Sequence, residues 1–328
     1  MHIVIATPFY PPQTGILATY AAGIETALKQ RGHTVSVVSL GVLGFLPSGI
    51  RHFAFFIKLL FALRGAGFVL SLDTWSVGVP AMYAARITRT PLFIRIGGDF
   101  LWEQYIHRTA ASIRLSDFYP RNDFSLKERL IFGMTERMLR QAHAVMFNTG
   151  FQKDIWEKAY KLKGKGTVLE NFYPPKTETA PPFGRIFVNS NRNTRYKNAD
   201  RLERVFARVK ARHPEITLDT RVLPYVQQLE RLAQSYAVIV PSISEVGSNT
   251  AIEAVSLGRP FIITNDTGTG ERLGACGIFV DTRSEKAIEE AIESILDTAT
   301  YEKLVANIHA FSFVHSWNAI ADEILSKV

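Results

Sequence analysis

The chain has 328 residues, 47% of them hydrophobic, and it carries a formal net charge of +8. This length is sufficient for two domains, and the apolar fraction excludes a disordered chain. The single cysteine, Cys276, excludes an internal disulfide framework and a cysteine metal site, which suits a reducing cytoplasm.

Strand and helix patterns alternate from the first residues, which predicts parallel sheets covered by helices. Residues 1–6 lack the basic leader of a signal peptide and read as a first strand, so we expect a cytoplasmic protein. In the first half of the chain, strands are predicted at 2–7, 34–40, 68–72, 91–96 and 144–147, and helices at 16–30 and 125–142.

The segment nearest to a membrane span is 53–63, which is far shorter than the ~20 residues that a spanning helix needs. Lys58 also interrupts it. We interpret this segment as a buried helix of an α/β domain. The alternative is a helix that lies in a membrane surface, with Arg51, Lys58 and Arg64 toward the lipid headgroups.

Positive charge is concentrated in the first half of the chain. Residues 1–175 carry 20 Lys and Arg against 11 Asp and Glu, whereas residues 176–328 carry 18 against 19. This asymmetry predicts an anionic surface or substrate. Because no nucleic-acid-binding motif accompanies the charge, we expect no nucleic acid partner and favour an anionic membrane at the inner face of the plasma membrane. The alternative is a merely soluble basic surface. Much of the excess comes from Arg86, Arg89, Arg95, Arg108, Arg114, Arg121, Lys127 and Arg129.

A proline-rich stretch at 171–182 is typical of a linker between two domains. A second α/β series follows it, with strands predicted at 185–189, 216–222, 237–240 and 261–264, and helices at 200–212, 224–236, 250–257, 284–296 and 317–326. Two such domains leave a cleft, which is a common ligand site. The first βα turn lacks Gly-x-Gly-x-x-Gly, so a dinucleotide cofactor is not expected, and no motif implies a metal ion.

Two glutamates mark the strongest candidate site. Glu245 lies on the loop that leaves the strand at 237–240, and Glu253 lies one turn inside the next helix. Ligands of open α/β sheets bind at this edge, and the N–H groups of residues 248–251 are expected to face them. The alternatives are a capping box formed by Thr250 and Glu253, and a solvated loop acid at Glu245.

Five motifs follow one another along the chain. The first is Phe9-Tyr-Pro-Pro-x-Thr-Gly15 with Arg31-Gly-His33. The others are Ile96-Gly-Gly-Asp99-x-x-Trp102-Glu103, Arg192-x4-Lys197-Asn, the stretch from Pro241 through Glu245 and Glu253 to Gly258-x-Pro260, and Phe313 with Trp317. Together they resemble the motifs of retaining glycosyltransferases of family 4, of the bacterial or archaeal type, which have the GT-B fold. Asn191 and Asn198 stand where the family has glycines.

The resemblance implies an α/β GT-B fold, with two Rossmann-like domains that face each other across a cleft. Residues 1–173 would form the acceptor-binding domain, to which a crossing helix at about 307–328 returns, and residues 174–306 would bind the nucleotide sugar. The second domain is shortened, because between Arg212 and Ala237 one strand–helix unit stands where the family usually has about two. The missing part normally contributes the wall around the nucleotide base.

The resemblance also implies the roles of the site residues. The substrate would be a nucleotide diphosphate sugar of the UDP or GDP type, with no cofactor and no metal. Arg192 and Lys197 would meet the diphosphate, with Arg195 as a competing ligand. Glu245 would bind the sugar near the reacting carbon, and Glu253 the ribose. The implied catalytic residues are Asp99, Glu245, Arg192 and Lys197, and the implied donor-binding residues are Gly15, Arg192, Lys197, Glu245, Gly247, Ser248, Asn249, Thr250 and Glu253.

Asp99 and Gly15 each have a simpler structural explanation. Asp99 suits a turn after two glycines. Gly15 would let the backbone approach the diphosphate closely, but it also fits a plain turn.

The predicted activity is retaining transfer of a hexose or a similar sugar from the nucleotide donor to a glycan or lipid-linked acceptor. We expect this reaction in the synthesis of a surface polysaccharide or a glycolipid. Two alternatives stay open: a degenerate GT-B protein that binds or scaffolds without turnover, and a nucleotide-sugar epimerase.

Overall fold

The computed structural model describes residues 1–121, 123–189 and 194–328, apart from the side chain of Ser48. These residues divide into two compact units. The first contains 1–101, 123–172 and 315–328, and the second contains the remaining described residues, 102–121 and 173–314. The sequence-based boundaries, 1–173 with 307–328 and 174–306, did not separate segment 102–121 from its neighbours.

Strands and helices alternate through both units. In chain order, the strands are β1 (His2–Thr7), β2 (Thr34–Ser39), β3 (Phe68–Ser71), β4 (Leu92–Ile96), β5 (Ala144–Phe147), β6 (Gly166–Val168), β7 (Arg185–Val188), β8 (Ile216–Asp219), β9 (Ala237–Val240), β10 (Phe261–Thr264) and β11 (Gly277–Val280). The helices are α1 (Ile16–Gln30), α2 (Ser48–Ala62), α3 (Gly78–Thr88), α4 (Phe100–Thr109), α5 (Leu126–Gln141), α6 (Gly150–Tyr160), α7 (Ala199–Arg212), α8 (Tyr225–Gln234), α9 (Asn249–Ser256), α10 (Gly270–Leu273), α11 (Glu285–Leu296), α12 (Thr298–Ala310) and α13 (Trp317–Leu325).

The first unit contains a parallel sheet with the strand order β2-β1-β3-β4-β5-β6. Strands β3, β4 and β5 are buried along their whole length, as is usual for parallel strands covered on both faces. The last helix, α13, packs against α1 and adds Ile320 and Ile324 to the core beneath β1. Trp317 stacks on Phe172 and meets the ring of Tyr20 edge-on.

The second unit contains a parallel sheet with the order β11-β10-β9-β7-β8. One apolar cluster joins the sheet to α7 and α11, and another joins it to α8 and α9. Between α7 and β9 the chain forms only β8 and α8. The single strand–helix unit read from the sequence is therefore present, and β8 is an edge strand of the sheet.

Both sheets have a point where the direction of the chain connections reverses. From β1 the chain proceeds to β2 on one side, whereas β3 leads to β4 on the other. In the second sheet the same reversal separates β7 from β9. Ligands of open α/β sheets bind at the carboxyl ends of the strands at such points. The loops after β1, β7 and β9 are therefore the places to look for a site.

The predicted α/β class with two parallel sheets is confirmed. Helix α2 differs from its interpretation as a buried helix, because Phe55 and Leu59 are buried whereas Phe53 and Phe61 are 65% and 60% exposed. In the described residues, no helix combines the length and the apolar character needed to cross a membrane.

Arg95 differs from its expected place in the basic surface, because it is 3% exposed. Its guanidinium donates hydrogen bonds to Asn148 and Asn171 and lies over the ring of Tyr20. A buried cation requires such partners, so the sequence-level charge count overstates the positive surface of the first unit.

Candidate active site

Lys197 and Glu245 meet at the reversal point of the second sheet. Lys197 ends a short 3-10 turn, Arg195–Lys197, that follows β7, and Glu245 lies on the loop after β9. The Lys197 ammonium donates a hydrogen bond to Oε1 of Glu245. The hydroxyl of Ser242 donates to the same oxygen at 2.6 Å. The structure therefore brings two of the predicted site residues into direct contact.

Backbone contacts hold the Glu245 loop against the neighbouring loop. The amide of Glu245 donates to the carbonyl of Asp266 at 3.1 Å, and Glu245 forms an isolated parallel bridge with Thr267. The amide of Gly268 donates to the carbonyl of Val246 at 3.1 Å. Pairing thus continues beyond the ends of β9 and β10, which fixes the direction of the Glu245 side chain.

Asn198 fixes the loop that carries Lys197. Its side-chain amide donates to the carbonyl of Pro241 at 3.1 Å and to that of Thr282 at 2.8 Å. Its backbone is left-handed, with a φ of 57°, a conformation that asparagine tolerates better than most residues. This explains how Asn198 can stand where the family has glycine.

Arg195 lies on the same turn as Lys197 but lines a different surface. It is exposed and lines a basic pocket with His107, Arg201 and Arg204. Lys197 is therefore the cation of this turn that faces Glu245. Arg192, the other predicted diphosphate ligand, lies outside the described residues.

The N-terminus of α9 only partly meets the expectation of open amide groups. Ser248 is the N-cap, and its hydroxyl accepts from the amide of Ala251 at 3.2 Å. The amide of Ser248 donates to the hydroxyl of Thr269 at 3.0 Å. Two of the four amides at 248–251 are thus used within the chain. The amides of Asn249 and Thr250 lie in the first turn and stay the better candidates for phosphate contacts, and Gly247 directly precedes the cap.

The capping-box alternative for Glu253 is wrong. Because the cap is Ser248, Glu253 lies five residues into the helix, beyond the reach of the cap amide. Glu253 instead accepts a hydrogen bond from Tyr225, the first residue of α8. Burial raises the pKa of Glu253 to about 7, and the hydrogen bond from Tyr225 partly offsets this rise. Burial and the nearby charge of Glu253 raise the pKa of Tyr225 above its usual range.

Asp99 and Gly15 belong to the first unit. Asp99 follows β4, directly precedes α4 and is 2% exposed. The indole N–H of Trp156 donates to Oδ2 of Asp99 at 2.8 Å. Gly15 is the N-cap of α1, on the loop that follows β1, with a φ of 130°. This backbone conformation is strained for any residue with a side chain.

Segment 102–121 is anchored to the loops that carry the second unit's site. The amide of Leu115 donates to the Ser244 hydroxyl at 2.8 Å and to the Asp266 carboxylate at 3.0 Å. Arg114 forms an ion pair with Asp281 at 2.8 Å. Ser244 is next to Glu245, and the carbonyl of Asp266 accepts from the amide of Glu245, so this segment supports the loop that carries Glu245.

Sequence reasoning missed the supporting residues Ser242, Tyr225 and Asp266. Ser242 lies within the recognised motif, so its spacing of three residues from Glu245 is a usable signal. Tyr225 and Asp266 contact the site across long sequence separations, and no local pattern marks them. Among the described residues, no group of three or more His, Cys, Asp or Glu side chains is placed to hold a metal ion.

Comparison with known proteins supports the fold. Residues 193–298, which include Lys197, Glu245 and Glu253, match the family model for glycosyl transferases group 1. A sucrose-phosphate synthase from Thermosynechococcus elongatus is similar over 99% of this chain and 97% of its own, with a TM-score of 0.75 and 14% identity. The resemblance to GT-B glycosyltransferases is confirmed.

Further GT-B comparisons show how broadly the fold is shared. Anabaena HepE, solved in complex with UDP and glucose, is similar over 99% of this chain and 98% of its own, with a TM-score of 0.67 and 16% identity. A putative UDP-N-acetylglucosamine 2-epimerase from Listeria monocytogenes is similar over 99% and 95%, with a TM-score of 0.62 and 12% identity. No curated protein sequence matches the chain. At these identities the structures establish the fold and not the substrate.

Proposed function

We propose that this protein is a retaining glycosyltransferase that moves a hexose or a similar sugar from a UDP or GDP sugar to a glycan or lipid-linked acceptor. The observation that carries the proposal is the Lys197–Glu245 pair at the reversal point of the second sheet. The contact supports the proposal because it joins the proposed diphosphate ligand, Lys197, to the proposed ligand of the sugar hydroxyls, Glu245, within the segment that matches the family model.

The proposed donor site uses the residues around this pair. The diphosphate of the donor pairs with the Lys197 ammonium. It also contacts the amides of Asn249 and Thr250, because negative charge is favoured at a helix N-terminus. Glu245, released from Lys197, accepts hydrogen bonds from the sugar hydroxyls. Glu253 accepts them from the ribose. Arg192 and Gly247 complete the proposed donor-binding set, together with Ser248.

In the proposed reaction, the bond between the anomeric carbon and the phosphate oxygen breaks as the acceptor oxygen attacks from the same face. The leaving phosphate oxygen takes the proton of the acceptor hydroxyl, and a nucleoside diphosphate is released. Lys197 stabilises the charge that grows on the leaving group, which is the kind of interaction that lowers such barriers most. We propose that Asp99 acts on the acceptor side and that Gly15 lets the backbone approach the donor closely. The proposed reaction uses no cofactor and no metal.

The proposed setting is surface polysaccharide or glycolipid synthesis at the cytoplasmic face of the plasma membrane. The basic excess of the first half of the chain supports an anionic membrane as a partner. Arg86, Arg89, Lys127 and Arg129 are exposed on the first unit and can contribute to it.

Two specific observations favour other functions. The similarity to the Listeria putative epimerase favours a nucleotide-sugar epimerase, which would need no acceptor. The single strand–helix unit between α7 and β9 favours a degenerate protein that binds without turnover. The intact Lys197–Glu245 contact and the family match support the transferase over both.

A thermal-shift series with UDP, GDP, ADP and their sugars tests the proposal. A ligand that binds only the folded state raises the unfolding temperature, so one nucleotide class should stabilise the protein. The stabilising donor is then incubated with lipid-linked and free glycan acceptors. Release of nucleoside diphosphate with an α-configured product from an α-configured donor supports the transferase. Conversion of the donor sugar without an acceptor would identify an epimerase, and binding without any turnover would identify the degenerate protein.

A further inference from the structure

Helix α2 has large apolar side chains on two opposite sides. Phe55 and Leu59 are buried against the first unit. On the other side, Ile50, Phe53 and Phe61 are 58%, 65% and 60% exposed. A helix on the surface of a soluble domain normally has one apolar stripe and a polar opposite side. The second stripe of α2 therefore has no explanation in the packing of the unit.

The exposed stripe is a continuous surface because of its spacing. Residues 50, 53, 57 and 61 recur at intervals of three and four, which places them on one side of a helix. We call the side formed by Ile50, Phe53, Ile57 and Phe61 the outer face of α2. Phe45, on the loop that precedes the helix, is 80% exposed and adds a further aromatic ring close to its N-terminus.

Cations accompany the outer face, and acidic residues are absent from its part of the chain. Lys58 is exposed on α2, and the guanidinium of Arg64 lies 4.8 Å from the ring centroid of Phe61. Residues 26–72 contain five Lys and Arg and no Asp or Glu. An aromatic stripe with cations at its border is the pattern of helices that lie in the interface of an anionic bilayer.

We propose that the outer face of α2 docks on a membrane that contains anionic lipid. The aromatic side chains enter the boundary between headgroups and acyl chains, and Lys58 and Arg64 contact lipid phosphates. Charge complementarity favours a bilayer over a second copy of the chain, because residues 26–72 of a second copy offer no carboxylate to pair with Lys58 and Arg64, whereas anionic lipids offer phosphates. The inference rests on the proposed function, which includes an anionic membrane as a partner, and assigns the surface that contacts this membrane.

Flotation of the full-length protein with phosphatidylcholine vesicles, with and without phosphatidylglycerol, tests this surface. Binding is expected only with phosphatidylglycerol. Lys58→Ala and Arg64→Ala should each lower the partition coefficient about fivefold, and Phe53→Ser and Phe61→Ser roughly tenfold or more. All four side chains are at the surface, so the unfolding temperature should stay close to that of the wild type.

Matched controls come from exposed residues of the second unit. Phe183 is 91% exposed, and the Lys286 side chain is 84% exposed. Phe183→Ser and Lys286→Ala should bind vesicles like the wild type. Equal losses in these controls would overturn the proposal, as would the absence of binding to phosphatidylglycerol vesicles. Concentration-dependent dimers that Phe53→Ser dissolves in sedimentation velocity would assign the outer face to a second copy and also overturn it.

Nucleotide binding separates this inference from the proposed function. The thermal shift caused by the stabilising nucleotide should be the same in Phe53→Ser, Lys58→Ala and the wild type. If the protein floats with the vesicles but no nucleotide raises its unfolding temperature, the transferase is contradicted and the docking surface is supported. If a nucleotide raises the unfolding temperature but the protein does not float, the docking surface is contradicted and the nucleotide site is supported.

Discussion

The ammonium of Lys197 donates a hydrogen bond to the carboxylate of Glu245, and the two side chains are 19% and 14% exposed. The cation proposed for the diphosphate thus lies in direct contact with the carboxylate proposed for the sugar hydroxyls. A diphosphate carries more negative charge than a single carboxylate, so it competes with Glu245 for the Lys197 ammonium.

Lys197→Ala and Glu245→Gln should each lower the rate of sugar transfer by about a hundredfold or more, because each removes a group aimed at charge or hydroxyls in the transition state. Initial rates with the stabilising donor measure the effect. Arg195→Ala is the matched control for Lys197, since Arg195 lies on the same turn but lines the pocket of His107, Arg201 and Arg204, and it should keep most of the activity. A larger loss in Arg195→Ala than in Lys197→Ala would reverse the assignment of the diphosphate ligand.

Glu253 should make donor binding depend on pH. Its pKa is raised to about 7 by burial, and only the ionised carboxylate accepts hydrogen bonds through both oxygens from the ribose. The affinity for the donor sugar should therefore rise with pH through about 7. Titration calorimetry with the intact nucleotide sugar measures this, because its phosphates do not titrate in that range. Glu253→Gln should remove the dependence, and a pH-dependent affinity in that variant would place the titrating group elsewhere.

The same carboxyl should make stability fall as pH rises. Its pKa is higher in the folded protein than the ordinary value of 4.5, so the folded state binds the proton more tightly between 4.5 and about 7. The free energy of unfolding then decreases across this window, by up to roughly 3 kcal/mol, and is level above it. Urea unfolding at a series of pH values should show a flatter profile for Glu253→Gln. A steeper profile in the variant would refute the assignment.

Tyr225→Phe should move the pH dependence of donor binding upward. The hydroxyl of Tyr225 donates to Glu253 and lowers the pKa of that carboxyl, so its removal lets burial raise the pKa further. The midpoint of the affinity profile should shift to higher pH, while the fold is retained because the ring is kept. A midpoint that does not move would show that the hydrogen bond has no influence on Glu253, and one that moves to lower pH would contradict the expected sign of that influence.

Gly23→Ala should destabilise the first unit. A Cβ atom at Gly23, in α1, would come within 2.5 Å of the Trp317 ring, which is already held by Phe172 and Tyr20. Overpacking of this kind costs about 1–3 kcal/mol. Gly133→Ala in α5 is the matched control, because its Cβ would meet open space, and helix propensity predicts a gain of up to about 1 kcal/mol. Equal unfolding midpoints for the two variants would contradict the close packing of α1 and α13.

Regular elements were predictable where their patterns are long. The predicted helix at 125–142 is α5, and Ser125 and Glu128 form the capping box that starts it. Strand β6 has only three residues and escapes any periodic signal. Helix α2 was interpreted as buried because most of its residues are apolar, and composition does not say which side of a helix the sheet covers.

The site was predictable where one motif carries it and unpredictable where distant segments meet. Glu245 and Lys197 follow from their motifs, and the sheet order explains why they are close. The contact of Tyr225 with Glu253 and that of Leu115 with Asp266 depend on how distant loops pack together. The spacing of residues along the sequence does not predict such packing. The assignment of segment 102–121 to the second unit depends on packing between distant segments in the same way.

The position of α13 has a consequence for biosynthesis. Its side chains Ile320 and Ile324 belong to the core of the unit that begins at Met1, and Nδ1 of His315 donates a hydrogen bond to the carbonyl of Asn171 at 2.9 Å. When β1 to β6 have been synthesised, the α13 residues that complete their core have therefore not yet been translated. The first unit stays incompletely packed until the second unit has been translated. Nascent chains arrested before residue 315 should thus protect the second unit from protease earlier than the first.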